Sequence, residues 1–598
     1  MKDLILELNK ILSNYAKGNK YTAYQKLKKI LNKYPSNEKI YFNLAIMEQD
    51  LGLHNQAKIS YKKLIENYNS YKAKMNLYLL YIKEQDYLSA LKIINKFLNS
   101  ELNDNKILLD KAYILLKINK LNECLKICKS IISKDKESLD AINLIGKCFL
   151  EENKYKEAEE ILLRGIAYKK NNVTLLNSLG KLYFEIWNLE KSEYFYHNAL
   201  KENSKSYQTL NNIGGFYLET NRSDKALVYY LRALEIVPNE PTILNNLAKT
   251  YLSLKDIKNA EKYCLMAIKI KEEDSFKKIL SIINFHKMDF KKAWSFFDGR
   301  LGLNDFVKKN KSYELIKAKL LKKRKINPNK KLLIIREQGV GDEILYGSIY
   351  EDLLNTFDNT IIETDQRLLP LFINSFDNIH KNKFVKLGYY SDNNEKLKDF
   401  EQVLYAGSLG YYFRKNLDDF PEKNYLTVSS EEINKGKVKL DIYKKKFKIG
   451  LSWKSFNNLY ANQKSLSLID FEFLINNKNF DTLNMQYGNV LEEIKTFNNK
   501  SKSKIHVLNN LDLFNDFIKV ASVLKNIDLF ITVSNSTAHL AGALGVKTLL
   551  IKPFNQATFH YWNQPNNRTP WYRNIDLIDR DELLDEELFK KKIFSKLS

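Results

Sequence analysis

The sequence predicts two fold classes in one chain: an all-α array of repeated helix pairs, then an α/β region built on buried parallel strands. Three observations carry this reading. Small residues recur along the first half with a single period, the period fades after Gly299, and short apolar runs ending in glycine or hydroxyl-rich turns replace it.

In the first half a small residue stands at Ala23, Ala57, Ala90, Cys124, Ala158, Ser192, Ala226, Ala260 and Ala293, at separations of 33 or 34 residues. A second series, Ala112, Gly146, Gly180, Gly214 and Ala248, keeps a spacing of 34, as does a third, Gly165, Ala199, Ala233 and Ala267. Aromatics follow the second series at Phe149, Tyr183, Tyr217 and Tyr251. Helices pack closely only where the side chains at their crossing are small, and a ring fills the adjacent gap. The pattern resembles the tetratricopeptide repeat, and nine second-helix signatures imply about eight and a half repeats over residues 4–304. Such arrays form superhelical solenoids whose concave groove holds a protein or peptide, so a partner of that kind is expected there. Asn143, Asn177, Asn211 and Asn245, joined by Asn212 and Asn246, make an amide row that suits an extended backbone, because an amide both donates and accepts. An asparagine-rich composition is the alternative explanation.

The net charge of +25 is spread along the chain. The basic runs Lys322-Lys323-Arg324-Lys325, Lys444-Lys445-Lys446 and Lys590-Lys591-Lys592 form no single stripe, and no nucleic-acid module accompanies them, so no specific nucleic-acid partner is expected. The four cysteines are irregularly spaced at helix-packing positions, unlike a disulfide or zinc framework, which fits a reducing compartment. Met1-Lys2-Asp3-Leu4 is charged from the start and no apolar run nears the ~20 residues of a membrane span. A cytoplasmic protein without a signal peptide or transmembrane segment is expected.

A linker is assigned to residues 305–328, a first Rossmann-like subdomain to 329–430 and a second to 445–598. Leu332-Leu333-Ile334-Ile335 reads as a buried strand, followed by Gln338-Gly339-Val340-Gly341-Asp342-Glu343 and a helical pattern. Strand, glycine turn and helix aim backbone N–H groups at a ligand, with Gly339 and Gly341 allowing close approach. Phe447 to Lys454 and Thr482 to Gly488 read as further strands ending in polar residues. The best-formed unit is Asp528 to Val533, then Ser534-Asn535-Ser536-Thr537-Ala538-His539, a short helix to Gly545, and a strand from Lys547 to Lys552. Four hydroxyl or amide side chains thus meet a helix N-terminus, where free N–H groups and the dipole favour a diphosphate, and His539 falls in the first turn or so facing the same ligand.

Arg336 to Leu345, Asp365 to Phe372, and Gly407-Ser408-Leu409 through Phe413-Arg414 resemble successive motifs of bacterial tetratricopeptide proteins with a glycosyltransferase-like C-terminal region. Ser534 to Gly545 resembles the donor-site motif of the heptosyltransferase family, although Ser534 stands where that family usually carries an acidic residue. The resemblance implies a GT-B arrangement, two Rossmann-like subdomains across a cleft, with the nucleotide-sugar donor held mainly by the second and the acceptor approaching from the first. It implies Asp342 as the base, with Glu343 as its competitor and His539 beside the donor. A carboxylate near the acceptor hydroxyl can take its proton as the anomeric carbon is attacked. The departing nucleoside diphosphate needs preorganised donors or cations. Lys454 and Lys464 are the candidates for charge, Ser534, Asn535, Ser536 and Thr537 for neutral donors, and Ser452 and Gln486 for contacts at strand ends. The first subdomain is short for a Rossmann unit, so the preceding repeat helices are expected to cover its exposed face. Asp579-Arg580-Asp581 matches an acidic pair that other glycosyltransferases use for a divalent ion, but its place before a helical run reads as a cap. The seven histidines show no paired ligand spacing, so neither metal nor cofactor is expected. The competing readings are a non-catalytic scaffold with a degenerate C-terminal region and another α/β nucleotide-sugar enzyme such as an epimerase.

Overall fold

The computed structural model describes residues 2–98, 104–303, 307, 310–321, 325–337, 339–376, 380–456, 461–553, 560–562 and 568–597. The chain divides into two compact units, Met1–Asn212 and Ile213–Ser598.

The first unit is a run of helix pairs from Lys2–Ala16 with Lys20–Lys33 to Val173–Glu185 with Leu189–Glu202. Each pair is joined by a three-residue turn whose middle residue is left-handed: Gly18, Gly52, Gln85, Asn119, Asn153 and Trp187 have φ between 57° and 96°. The turn is closed by a hydrogen bond reaching back over the helix end, as from Lys154 N to Phe149 O at 2.9 Å. The small residues lie where the helices cross. A Cβ on Gly146 would come within 2.6 Å of Leu162, and one on Gly180 within 2.6 Å of the Tyr196 ring. The amide row faces its neighbours in the array: Asn143 accepts from Ser178 Oγ at 2.6 Å, Asn177 donates to Thr209 Oγ1 at 2.8 Å, and Asn212 donates to Asn177 at 3.2 Å. In this unit the row is a ladder that joins one repeat to the next.

The second unit opens with the last repeats. Their turn residues, Asn221, Lys255 and Met288, are again left-handed, and Tyr217 stacks on Tyr229 and Tyr251 on Tyr263 at 5.4 Å. Nine helix pairs are present among the described residues, because Lys2–Ala16 supplies the first partner. The final helix, Phe290–Phe297, has only 8 residues and passes into a 3-10 turn at Asp298–Leu303.

Two sheets follow. The first holds β1 (Leu332–Ile335), β2 (Thr360–Thr364), β3 (Phe384–Lys386) and β4 (Gln402–Tyr405), all parallel, in the order β3-β2-β1-β4. The second holds β5 (Phe447–Ser452), β6 (Phe480–Asn484), β7 (Ile505–His506), β8 (Leu529–Val533), β9 (Thr548–Ile551), β10 (Arg568–Thr569) and β11 (Tyr572–Ile578), in the order β10-β11-β9-β8-β5-β6-β7. Only the β10–β11 pair is antiparallel. Apolar runs with no alternation become these strands because helices cover both faces. The strand read at Thr482–Gly488 begins earlier, at Phe480, and ends at Asn484, where pairing with β5 stops. That leaves Gln486 beyond the strand.

The residues read as a linker are packed. Tyr313–Lys319 is helical, Ile316 is buried, and Leu320 forms a parallel bridge with Val403 of β4. Lys322, Lys323 and Arg324 lie outside the described residues. Phe285, Trp294 and Phe297 of the last repeat share one buried cluster with Leu332, Ile334, Tyr346 and Leu404, and the Trp294 ring packs on Gly410 after β4. The junction is polar as well. Trp294 Nε1 donates to Arg414 O at 2.6 Å, and the Arg300 guanidinium grips Glu337 through three hydrogen bonds of 2.8–2.9 Å. Both charges are almost wholly buried, and Gly407 lacks a side chain where a Cβ would fall 2.2 Å from the Glu337 carboxylate. No helix among the described residues is long and apolar enough to cross a membrane.

Candidate active site

β1 ends in the glycine turn that starts the Val340–Gly347 helix, and β8 ends in the turn that starts the Ser536–Leu544 helix. Gly341 brings the two helix starts together: a Cβ there would lie 2.8 Å from His539 Cδ2 and 3.3 Å from Ser536 Cα. A cavity of about 320 Å³ lies at this meeting point, beyond the carboxyl edges of β1 and β8, where ligands of parallel sheets bind. Among its lining residues are Gly339, Gly341, Asp342, Lys464, Ser534, Asn535, Ser536 and His539.

Asp342 is in the first turn of its helix, and its Oδ1 accepts from Tyr561 OH at 3.1 Å. Burial raises its pKa, against the opposing pull of Lys464, Tyr561, the Gly339 N–H and Arg336. Lys464 faces it from the end of a short helix, and burial holds that ammonium down at about 8, partly offset by Asp342. It is therefore a cation at neutral pH. His539 is enclosed by the rings of Tyr561, Trp562 and Tyr572, and its Nδ1 shares a 3.1 Å hydrogen bond with Tyr572 OH. Burial and the nearby Lys464 push its pKa down to about 3. His539 thus serves as a neutral imidazole at physiological pH, shaping the wall without carrying charge.

Asn535 caps the Ser536–Leu544 helix through Ala538 N at 3.1 Å, and its Nδ2 donates to Ser452 Oγ at 2.7 Å. Ser534 accepts from Trp562 Nε1 at 3.0 Å, and Ser536 lies at the cavity wall. Thr537 is buried and is not among the lining residues.

Four expected residues are placed elsewhere. Glu343 lies below the turn, where it accepts from Thr364 Oγ1 and from Asp365 N at 2.9 Å, with Arg336 Nε at 3.4 Å. Burial raises its pKa to about 7. Its neighbours are the ends of β1 and β2, so it braces the turn. Ser452 and Gln486 are buried against each other: Gln486 Oε1 accepts from Ser452 Oγ at 2.9 Å, Trp453 N at 2.9 Å and Lys454 N at 2.6 Å. Gln486 therefore ties β5 to the chain after β6. Lys454 Nζ pairs with Glu493 at 2.6 Å, away from the cavity. Gln338 lies outside the described residues. Asp579 heads the Arg580–Leu584 turn and pairs with Lys552 at 2.8 Å.

Comparison with known proteins follows the helical part. A family described as tetratricopeptide repeat matches residues 38–71, one described as anaphase-promoting complex, cyclosome, subunit 3 matches 83–165, and one described as Chs5p-Arf1p-binding proteins matches 144–291. The chain is 24% identical to protein FlbA of Caulobacter vibrioides over 258 residues, which is 41% of this chain and 42% of that protein. It thus spans less than half of that relative's length. Similar solved structures include a tetratricopeptide repeat protein from Parabacteroides merdae (14% identity, 47% of this chain, 99% of that one, TM-score 0.29). Another is a tetratricopeptide protein of Thermus thermophilus (20% identity, 31% of this chain, 100% of that one, TM-score 0.29). The helical part is a tetratricopeptide array.

Sequence reasoning missed much of the wall. Arg336 and Arg367 both line it and share Asp365, at 2.5 and 2.8 Å, which holds that carboxyl at about 2. Tyr487, Phe514 and Phe517 form an aromatic side, with the Arg367 guanidinium 4.8 Å from the Phe514 ring centroid. The arginines belong to quoted motifs and were within reach of a charge argument. Phe514 comes from a turn, Phe517 from the first position of the Phe517–Leu524 helix and Tyr561 from a 3-10 turn, and none of the three carries a local signal for the cavity.

Proposed function

We propose that the chain is a metal-independent glycosyltransferase of GT-B arrangement, moving a sugar from a nucleotide-sugar donor to an acceptor hydroxyl, with no cofactor. The observation that supports this most directly is that Asp342 and Lys464 line one cavity, where the N-termini of the Val340–Gly347 and Ser536–Leu544 helices converge. A buried carboxylate of raised pKa is suited to take a hydroxyl proton. A cation beside free N–H groups is suited to a leaving diphosphate. In this reading Asp342 accepts the acceptor's proton as oxygen attacks the anomeric carbon. The nucleoside diphosphate departs toward Lys464 and the Asn535–Ser536 helix start, while Tyr487, Phe514 and Phe517 offer flat apolar surface to the base. Glu343 holds the turn in place. The repeats recruit the acceptor, a protein or a surface glycan, as the partner-binding description of one matched family suggests.

A second reading, a non-catalytic interaction scaffold, is favoured by one observation: every family match reported above falls within residues 38–291. Incubation with UDP-, ADP-, GDP- and CMP-sugars, read as thermal stabilisation and nucleotide release, separates the two. One donor stabilises the protein and is slowly hydrolysed, hydrolysis is lost in Asp342→Ala with binding retained, and affinity falls as pH rises through about 8, where Lys464 loses its charge. Absence of binding by every donor overturns the transferase reading and turns the search to the repeat groove.

A further inference from the structure

Lys464 lines the cavity together with Arg336 and Arg367, at the end of the short Ala461–Lys464 helix, and the residue before it ties that helix to the repeats. Gln463 is 6% exposed, and its Nε2 donates to Glu219 Oε2 at 2.5 Å and approaches Glu219 O at 3.4 Å. Glu219 ends the Tyr207–Glu219 helix of the repeat array, 244 residues earlier in the chain. Gln463 Oε1, also buried, has no hydrogen-bond partner among the described residues, so the amide's hold rests on the Glu219 side. A buried, half-satisfied amide is costly to keep, and a local structural role does not require it. On the backbone side Arg580 donates to Gln463 O at 3.0 Å and to Ser465 O at 2.7 Å.

We infer that Glu219 is a positioning residue for the anion site: by holding Gln463 it fixes the turn that presents Lys464 to the cavity, so that the repeat array completes the site. The placement of Lys464 stands on geometry alone, and the consequence for nucleoside diphosphates rests on the function proposed above. Among the groups facing Lys464 are Asp342, which Tyr561 and Arg336 also approach, and the neutral His539.

The test compares full-length wild type with Glu219→Ala, Glu219→Gln and Gln463→Leu. The first readout is amine labelling of Lys464 across pH, followed by mass spectrometry of its peptide. In wild type the expected midpoint is about 8. Glu219→Ala and Gln463→Leu release the turn and move it toward the roughly 10.4 of a solvated lysine. Glu219→Gln, which still accepts a hydrogen bond, keeps the wild-type midpoint. The second readout is affinity for ADP, UDP and GDP, which weakens about tenfold in Glu219→Ala and Gln463→Leu, is rescued in Glu219→Gln, and is no worse in the Glu219→Ala/Gln463→Leu double variant. An unmoved labelling midpoint in Glu219→Ala overturns the inference and assigns the turn to Arg580. Should Glu219→Ala fail to fold, Gln463→Leu carries the same expectation. If wild type binds none of the three diphosphates, the proposed function falls, while the labelling arm still decides whether Glu219 positions Lys464.

Discussion

At Gly341 one absent methyl group decides the shape of the cavity. A Cβ there meets His539 at 2.8 Å, whereas one at Gly339 meets only Asp342 Oδ2 at 3.7 Å. Gly341→Ala is therefore expected to lose about 1–3 kcal/mol to overpacking and to abolish donor stabilisation, while Gly339→Ala leaves both intact, measured by denaturant unfolding and donor thermal shift. Asp342 gives a pH-dependent counterpart. Burial raises its pKa, so its ionised form burdens the fold at neutral pH and that burden vanishes as pH falls below the raised value. Asp342→Asn accordingly melts higher than wild type near neutrality and converges with it in acid, and under the proposed function it loses transfer. A gain in Tm that grows toward acid would contradict this assignment.

The helix pair is the unit in which the repeats are stabilised, and its two devices differ in kind. The crossing glycines are steric: Gly180→Ala drives a methyl into the Tyr196 ring and is expected to cost about 1–3 kcal/mol. The turns are conformational. Lys255 sits at φ 62°, which costs a residue bearing a Cβ about 1 kcal/mol or more, so Lys255→Gly should stabilise by about 1 kcal/mol in chemical unfolding. The last repeat adds a third device, the Arg300–Glu337 pair. Removing one partner leaves a buried charge unanswered, and Arg300→Ala is expected to cost about 3–5 kcal/mol, more than any repeat-crossing substitution.

For the molecule as a whole, the apolar face of the last repeat belongs to a buried core that also holds residues of both sheets. A chain beginning at Asn329 is therefore expected to aggregate, because Trp294, Phe285 and Phe297 are missing from that core. A chain beginning at Ser204, which retains the compact unit from Ile213 onward, is expected to be soluble and to unfold cooperatively. Light scattering and circular dichroism of the two fragments distinguish the outcomes.

What the sequence by itself determined is whatever repeats or is local. The 34-residue period, the apolar run of β1, and the hydroxyl-rich start of the Ser536–Leu544 helix are legible because close packing and backbone N–H groups impose their residue types within a few positions. Ser536 was singled out that way, whereas Asp342 was singled out by the family resemblance of its motif. The tertiary structure decided what depends on distant partners. Lys454 and Lys464 are alike in sequence, yet Glu493 takes one and the cavity receives the other. Glu343 is turned beneath β2 although it adjoins Asp342, since successive residues at a helix start point about 100° apart. Tyr561 reaches the cavity from the short 3-10 turn His560–Trp562 and Phe514 from a turn, neither long enough to carry a period. Local pattern records which face of an element is buried, whereas the partner on that face is set by how elements far apart in sequence pack.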